Sequence, residues 1–396
     1  MSRPIEPSPP PSESLPEPSA EELDHSARLA AAIRADIAHA GGAIPFARFM
    51  ELALYAPALG YYTSDRRKFG AGGDFVTAPE LGAGLAHCLA RQIRELFAQL
   101  GDGELLEVGA GNGRLAIDLL RVLAALDCLP RRYRILELSG ALRARQEASI
   151  RAQLPDLHAR IEWIERLPEP GFRGVVIANE LLDALPVDLL RLAGGEPREL
   201  CVAGEGTRFV WRERAAGAAL ARHYAERLAP LALPDGYRIE VHRRAEAWVA
   251  SIAERLAAGA LLLIDYGFPR GEYFHPERRG GTLLCHYRHR VHADPLIRVG
   301  LQDITAHVDF SAVAEAADAA GLDVLGYASQ SAFLLACGIT DYAAAGDERE
   351  RIRRAQEIKK LTLPHEMGEL FKVMALGRNV AAPLAGFTLQ DRRHRL

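Results

Sequence analysis

The sequence predicts an α/β fold, a parallel sheet with helices on both faces, and three observations carry that prediction. From about residue 104 onward, short apolar runs alternate with helical patterns. The run Ala260–Ile264 is wholly apolar, as a strand covered on both faces must be. Finally, Leu105-Leu-Glu-Val-Gly-Ala-Gly-Asn-Gly113 followed by Arg114-Leu-Ala-Ile-Asp-Leu-Leu reads as strand, tight turn and helix. Such a turn lets a ligand approach the backbone without meeting a Cβ, and the helix N-terminus behind it offers free N–H groups.

The elements follow in order. Met1–Asp24 is rich in Pro, Ser and Glu and is expected to be a disordered tail, without the apolar core of a signal peptide. Ser19-Ala-Glu-Glu22 forms a capping-box pattern that starts a helix running to about Ala40. Residues 25–100 are expected to be a mainly helical extension, with an irregular segment from Gly60 to Gly84 and a helix from Pro79 through Leu100. Strands are expected at Leu105–Val108, Tyr133–Leu138, Ile161–Ile164 and Val175–Ala178, with helices at Ala116–Leu126 and Ala141–Gln153 between them. Residues 187–258 interrupt this rhythm as an inserted subdomain, in which Glu199–Ala203 and Thr207–Trp211 read as a β-hairpin. The sheet resumes at Ala260–Ile264 and closes with strands Leu322–Ala328 and Phe371–Leu376, alongside helices Ser311–Ala320 and Glu348–Leu361. The core therefore spans residues 101–186 and 259–380, with seven strands, an insertion before the fifth and a C-terminal tail at 381–396.

Composition narrows the functional classes. The 396 residues carry a net charge of −4, which gives no basic field for nucleic acid. No apolar stretch approaches the roughly 18 residues of a membrane span. The five cysteines form no C-x-x-C pair, so neither a metal site nor a disulfide framework is expected, and a reduced cytoplasmic setting fits.

The glycine spacing excludes one familiar ligand. A dinucleotide fingerprint wants glycine or alanine three residues after Gly111, and Arg114 stands there. The pattern is instead Glu107-x-Gly109-x-Gly111-x-Gly113. Glu137 ends the second strand, where a carboxylate can accept both ribose hydroxyls of an adenosine ligand. The fourth strand leads into Ala178-Asn-Glu-Leu-Leu-Asp-Ala-Leu-Pro186, which places Asn179, Glu180 and Asp183 at the ligand edge of the sheet. Two carboxylates three residues apart would share a helix face and could hold a guanidinium. The plainer alternative is a pair of acids complementing a helix dipole. Asp265-Tyr-Gly-Phe268 closes the fifth strand at the same edge, and His307 lies in a polar segment that could orient an acceptor. The histidines from His286 to His292 read as surface residues.

Glu107–Gly113 resembles motif I of the class I S-adenosylmethionine (SAM) methyltransferases. Joined by Gly73-Asp-Phe-Val-Thr-Ala-Pro-Glu80, Asn179–Pro186, Ile264–Gly267 and Asp303–Phe310, it resembles the MidA family in motif content and order from about Ala30 to Arg378. That family comprises bacterial proteins and the mitochondrial methyltransferase that assists assembly of respiratory complex I. The resemblance implies a class I SAM-methyltransferase fold with a seven-stranded Rossmann-like sheet, and SAM as cofactor. For the mitochondrial branch it implies symmetric ω-N dimethylation of a protein arginine in a respiratory complex subunit. It also implies that Gly73, Asp74, Thr77, Pro79 and Glu80 help form the SAM site, beside the Glu107, Gly109, Gly111 and Gly113 of motif I and the strand-end Glu137 and Asn179 read above. Glu180, Asp183 and His307 are the expected catalytic residues. The tail shows no import sequence, so a bacterial cytoplasmic protein is expected, with a protein acceptor, no nucleic acid and no membrane span. A small-molecule O- or N-methyltransferase and a SAM-binding assembly factor with little turnover are the alternatives.

Overall fold

The computed structural model describes residues 15–64 and 77–396. Gly73 and Asp74 therefore lie outside the described residues, as does most of the N-terminal tail. The first helix, Ala20–His39, starts as its sequence dictates: Ser19 Oγ accepts from the Glu22 N–H, and Glu22 reaches back to the Ser19 N–H.

The central sheet runs in the order Asp323–Ser329, Phe371–Arg378, Leu256–Phe268, Phe172–Asn179, Glu104–Val108, Tyr133–Leu136, Ile161–Ile164. The strands from Leu256–Phe268 to Ile161–Ile164 are parallel, while Phe371–Arg378 runs antiparallel to both its neighbours. Where seven strands are expected, a further strand of two residues, Val308–Asp309, also pairs with Leu256–Phe268. The central strands are largely apolar because they face two cores. Ala260, Leu262 and Ile264 join one cluster with Val175 and Ile177, whereas Leu261 and Leu263 join another with Val176 and Ala178. Burying each such leucine contributes about 1.5–3 kcal/mol, which fixes the strand register strongly.

A second, antiparallel sheet joins two distant parts of the chain. Strands Asp188–Ala193, Glu196–Glu205, Arg208–Ala215 and Arg238–Val241 pair in it, and Ile44–Pro45 adds to the edge of Glu196–Glu205. Helix Arg243–Arg255, by contrast, lies on the central sheet beside Phe310–Ala319. A third sheet, which has no counterpart in the expected elements, is formed by Leu284–Tyr287, Arg290–His292 and Asp303–Thr305.

Two local expectations fail for identifiable reasons. The helix expected from Pro79 to Leu100 is broken into Ala78–Leu81 and Gly84–Leu100. Glu357 causes the break: its Oε1 accepts the Gly84 N–H at 2.6 Å and caps the second helix from outside. The segment after Asn179 is not helical at all, so Glu180 and Asp183 neither share a helix face nor have a helix dipole to complement. Asp265 holds that segment as a turn, with Oδ2 accepting the N–H groups of Leu181, Leu182 and Asp183 at 3.2, 2.9 and 3.3 Å.

Candidate active site

The order of the central sheet reverses at Glu104–Val108, and open α/β sheets bind ligands beyond the carboxyl ends of strands at such a point. A cavity of about 430 Å³ lies there. Its wall includes Thr77, Pro79, Glu107, Gly109, Gly111, Glu137, Asn179, Glu180, Asp183 and His307, all expected from the sequence. Gly113 and Glu80 support the wall without lining it.

The glycine turn is built by backbone geometry. Gly109, Gly111 and Gly113 have φ of +73°, +56° and +80°, a region that side chains disfavour. Gly113 then caps helix Arg114–Ala125. Arg114 turns away along that helix, its Nε donating to Asp118 Oδ2 at 2.6 Å. Asn112 Nδ2 donates to Glu80 Oε1 at 2.7 Å, which ties the Thr77–Glu80 segment to the turn.

Glu137 is held from two sides. Its Oε1 accepts the Ser139 N–H at 2.8 Å, and its Oε2 accepts Gln146 Nε2 at 2.9 Å. The same Gln146 nitrogen donates to the Gly111 carbonyl at 2.9 Å, and Trp163 Nε1 donates to Gln146 Oε1 at 3.0 Å. One buried amide thus couples the glycine turn to the strand-end acid. Sequence reading missed it; its one local sign is that Gln146 falls between Leu142 and Ile150 on the buried stripe of helix Gly140–Gln153.

Around the acids, burial dominates the electrostatics. Desolvation raises the Glu107 carboxyl to about 7, against a 2.6 Å hydrogen bond from Tyr133 that lowers it. Burial and then the Asp183 charge raise Glu180 to about 8, while the Asn179 amide and the Ala78 N–H oppose the rise. Burial raises Asp183 to about 6, opposed by the Tyr266 hydroxyl that Oδ2 accepts. Glu180 itself sits at φ +50°, uncommon for a glutamate. Its N–H donates to the Ile264 carbonyl at 2.8 Å, which holds that conformation in place.

His307 packs its ring against Tyr266 (centroids 5.2 Å, 75°) and Phe268 (5.4 Å, 45°). Burial, then Arg278 and Lys372, lower its pKa to about 4, so the imidazole is neutral at physiological pH. His286 also borders the cavity, contrary to its reading as a surface residue. The antiparallel pairing of Leu284–Tyr287 with Asp303–Thr305 brings it there. Tyr55 and Tyr62 complete the wall; no periodicity in the sequence marks them.

The donor set fits SAM in kind. A glycine turn leaves backbone exposed, a strand-end acid faces the cavity, and carboxylates lie where a sulfonium would be attracted. The sheet order and this edge define a SAM-binding methyltransferase fold. A family model of S-adenosyl-L-methionine-dependent methyltransferases matches residues 88–328. The chain belongs to that family, the MidA-like SAM-dependent methyltransferases. A crystal structure from Burkholderia thailandensis bound to S-adenosyl-homocysteine is 47% identical, with a TM-score of 0.92, covering 97% of this chain and 100% of that one. The protein of Drosophila melanogaster named "Protein arginine methyltransferase NDUFAF7 homolog, mitochondrial" is 29% identical over 96% of this chain and 92% of its own length. The human protein arginine methyltransferase NDUFAF7, also named mitochondrial, is 27% identical over 85% of this chain and 80% of its own. This chain is a SAM-dependent methyltransferase. Among the described residues no helix is long and apolar enough to cross a membrane.

Proposed function

We propose that the methyl acceptor is the guanidinium of a protein arginine side chain. One observation carries the reading: the described cavity wall contains the acids Glu107, Glu137, Glu180 and Asp183 and no lysine or arginine. An anionic acceptor would have to enter against the negative charge these acids carry when ionised. A guanidinium is the cation whose fork matches carboxylates. The family relatives named as protein arginine methyltransferases support the same reading.

On this reading Gly109, Gly111, Asn179 and Glu137 hold SAM, with Glu137 on the ribose hydroxyls and Thr77, Pro79 and Glu80 closing the site. SAM supplies an electrophilic methyl group on a sulfonium. Glu180 and Asp183 pair with the guanidinium N–H groups and present one nitrogen in line. As that nitrogen bonds to the methyl carbon and the carbon–sulfur bond breaks, its proton passes to one of the two carboxylates and then to water. Their raised pKa values suit them to that step, because burial brings Glu180 to about 8 and Asp183 to about 6, where a carboxylate can take up a proton near neutral pH. His307 is too weak a base to keep the proton, so its part is to present a neutral edge beside Tyr266. Orientation in a water-poor pocket supplies most of the acceleration.

Incubation with labelled SAM and lysate from a strain lacking the protein tests the reading. Labelled arginine, located by mass spectrometry, is the expected outcome. Label only on small metabolites, or no label, would overturn it.

A further inference from the structure

We propose that Tyr55 and Tyr62, backed by Asp303, form the subsite that receives the acceptor's flat cation and separates it from a compact ammonium. The proposal rests on the arginine reading and names the part of the site that makes the selection. Tyr55 ends helix Phe46–Tyr55 and Tyr62 follows the next turn, so both come from the N-terminal extension. Their rings are stacked, with centroids 5.5 Å apart and planes at 20°, and both border the cavity beside Asp183 and Tyr266.

Each hydroxyl is engaged away from a future ligand. Tyr55 donates to the Ala184 carbonyl at 2.9 Å, one residue from Asp183. The Tyr62 hydroxyl lies 3.0 and 2.9 Å from the two carboxylate oxygens of buried Asp303. Tyr61 packs edge-on against Tyr62 at 5.1 Å and 82°. The two rings are therefore fixed before any acceptor arrives, and preorganised groups lose little entropy on binding.

Donation to a carboxylate also pushes electron density into the phenol ring, which strengthens its face as a partner for a cation. Burial, reinforced by Asp303, keeps both phenols far above their ordinary pKa, so they remain donors at any working pH. A guanidinium is planar, weakly hydrated and stacks on aromatic faces, whereas an ammonium is compact and strongly hydrated. Carboxylates alone attract both cations. The ring pair adds to the preference of the carboxylates for the flat one.

The test uses the full-length protein, the acceptor labelled in lysate, and N-acetyl-arginine amide and N-acetyl-lysine amide as competitors. Wild type should be inhibited by the arginine compound at several-fold lower concentration than by the lysine compound. Losing one aromatic contact to a cation corresponds to a factor of roughly three to thirty, so Tyr62→Leu should raise the acceptor KM by about tenfold and bring the two competitors to parity. Affinity for S-adenosyl-homocysteine, measured by calorimetry, should stay within about twofold in Tyr62→Leu and Tyr55→Leu, which also reports that the variants fold. Tyr62→Phe keeps the ring and should fall between. An unchanged acceptor KM in folded Tyr62→Leu, parity of the competitors in wild type, or an equal loss of S-adenosyl-homocysteine affinity would overturn the subsite. If the labelled residue is not arginine, the underlying reading fails as well, so the two failures are distinguishable.

Discussion

Tyr266 donates its hydroxyl to Asp183 Oδ2, while Asp265 beside it accepts the Asp183 backbone N–H at 3.3 Å. The end of one central strand thus positions both the carboxyl and the main chain of the same acid. Because the Tyr266 hydroxyl favours the ionised carboxylate, removing it should raise the already elevated Asp183 pKa further. Methyl transfer by Tyr266→Phe should therefore need higher pH. The acid limb of its pH–rate profile should move upward, with S-adenosyl-homocysteine affinity unchanged. An unshifted limb would mean that Asp183 ionisation does not govern the rate.

On the proposed mechanism, substitutions at Glu180 and Asp183 should separate chemistry from donor binding. Glu180→Gln and Asp183→Asn keep shape, but an amide presents donors at one end and cannot accept both guanidinium N–H groups. Each variant should lose methyl transfer by roughly 10²-fold or more while retaining near-normal donor affinity, as when a charge acting in the transition state is removed. Single-turnover rates and calorimetry read the two quantities separately. Near-normal turnover in both would leave the carboxylates with a structural part only.

On the proposed reading, Gly111 and Glu137 hold the donor and Gln146 braces them. S-adenosyl-homocysteine should raise the melting temperature, because it binds the folded state, whereas NADH should not. Gly111→Val forces a branched side chain to φ +56° and should abolish that shift. Glu137→Ala should weaken binding by about 1.5–3 kcal/mol, the value of a charged acceptor for two hydroxyls. Gln146→Leu leaves Glu137 in place but removes its brace, and should cost less than Glu137→Ala. Equal losses would make the glutamine itself a ligand contact.

The legible parts of this chain were those with a local pattern. Apolar runs marked the sheet, and the two-sided burial of Leu261 and Leu262 explains why Ala260–Ile264 carried no polar residue. The glycine spacing and strand-end acids marked one end of the cavity because each follows directly on an apolar run that is itself legible. Gln146, Tyr62 and Asp303 were not legible in the same way. Their roles depend on pairings across 35 residues, from Gln146 to Gly111, and 241 residues, from Tyr62 to Asp303. The three-stranded sheet that brings His286 to the cavity has strands of only three or four residues, too short to show a period. Helix Pro79–Leu100 was misread because the cap that breaks it, Glu357, arrives from far along the chain.

The raised carboxyls make stability depend on pH in a definite direction. Glu107 rises from an ordinary 4.5 to about 7, Glu180 from 4.5 to about 8 and Asp183 from 3.8 to about 6. Each binds its proton more tightly folded than unfolded, so its folded form is favoured below the ordinary value and loses that advantage as pH rises toward the raised one. The ligand-free protein should therefore melt at progressively lower temperature from about pH 4 to pH 8, as far as these groups govern it. Glu107→Gln retains an acceptor for the Tyr133 hydroxyl but cannot ionise, so its melting temperature should fall less steeply over that range. A sulfonium in the cavity acts oppositely, since a nearby cation lowers carboxyl pKa values. The melting-temperature gain from SAM should therefore grow between pH 6 and pH 8, and grow more than the gain from S-adenosyl-homocysteine, whose sulfur is neutral. Parallel curves for the two ligands, measured by scanning fluorimetry at matched saturation, would show that the buried acids do not sense the sulfonium charge.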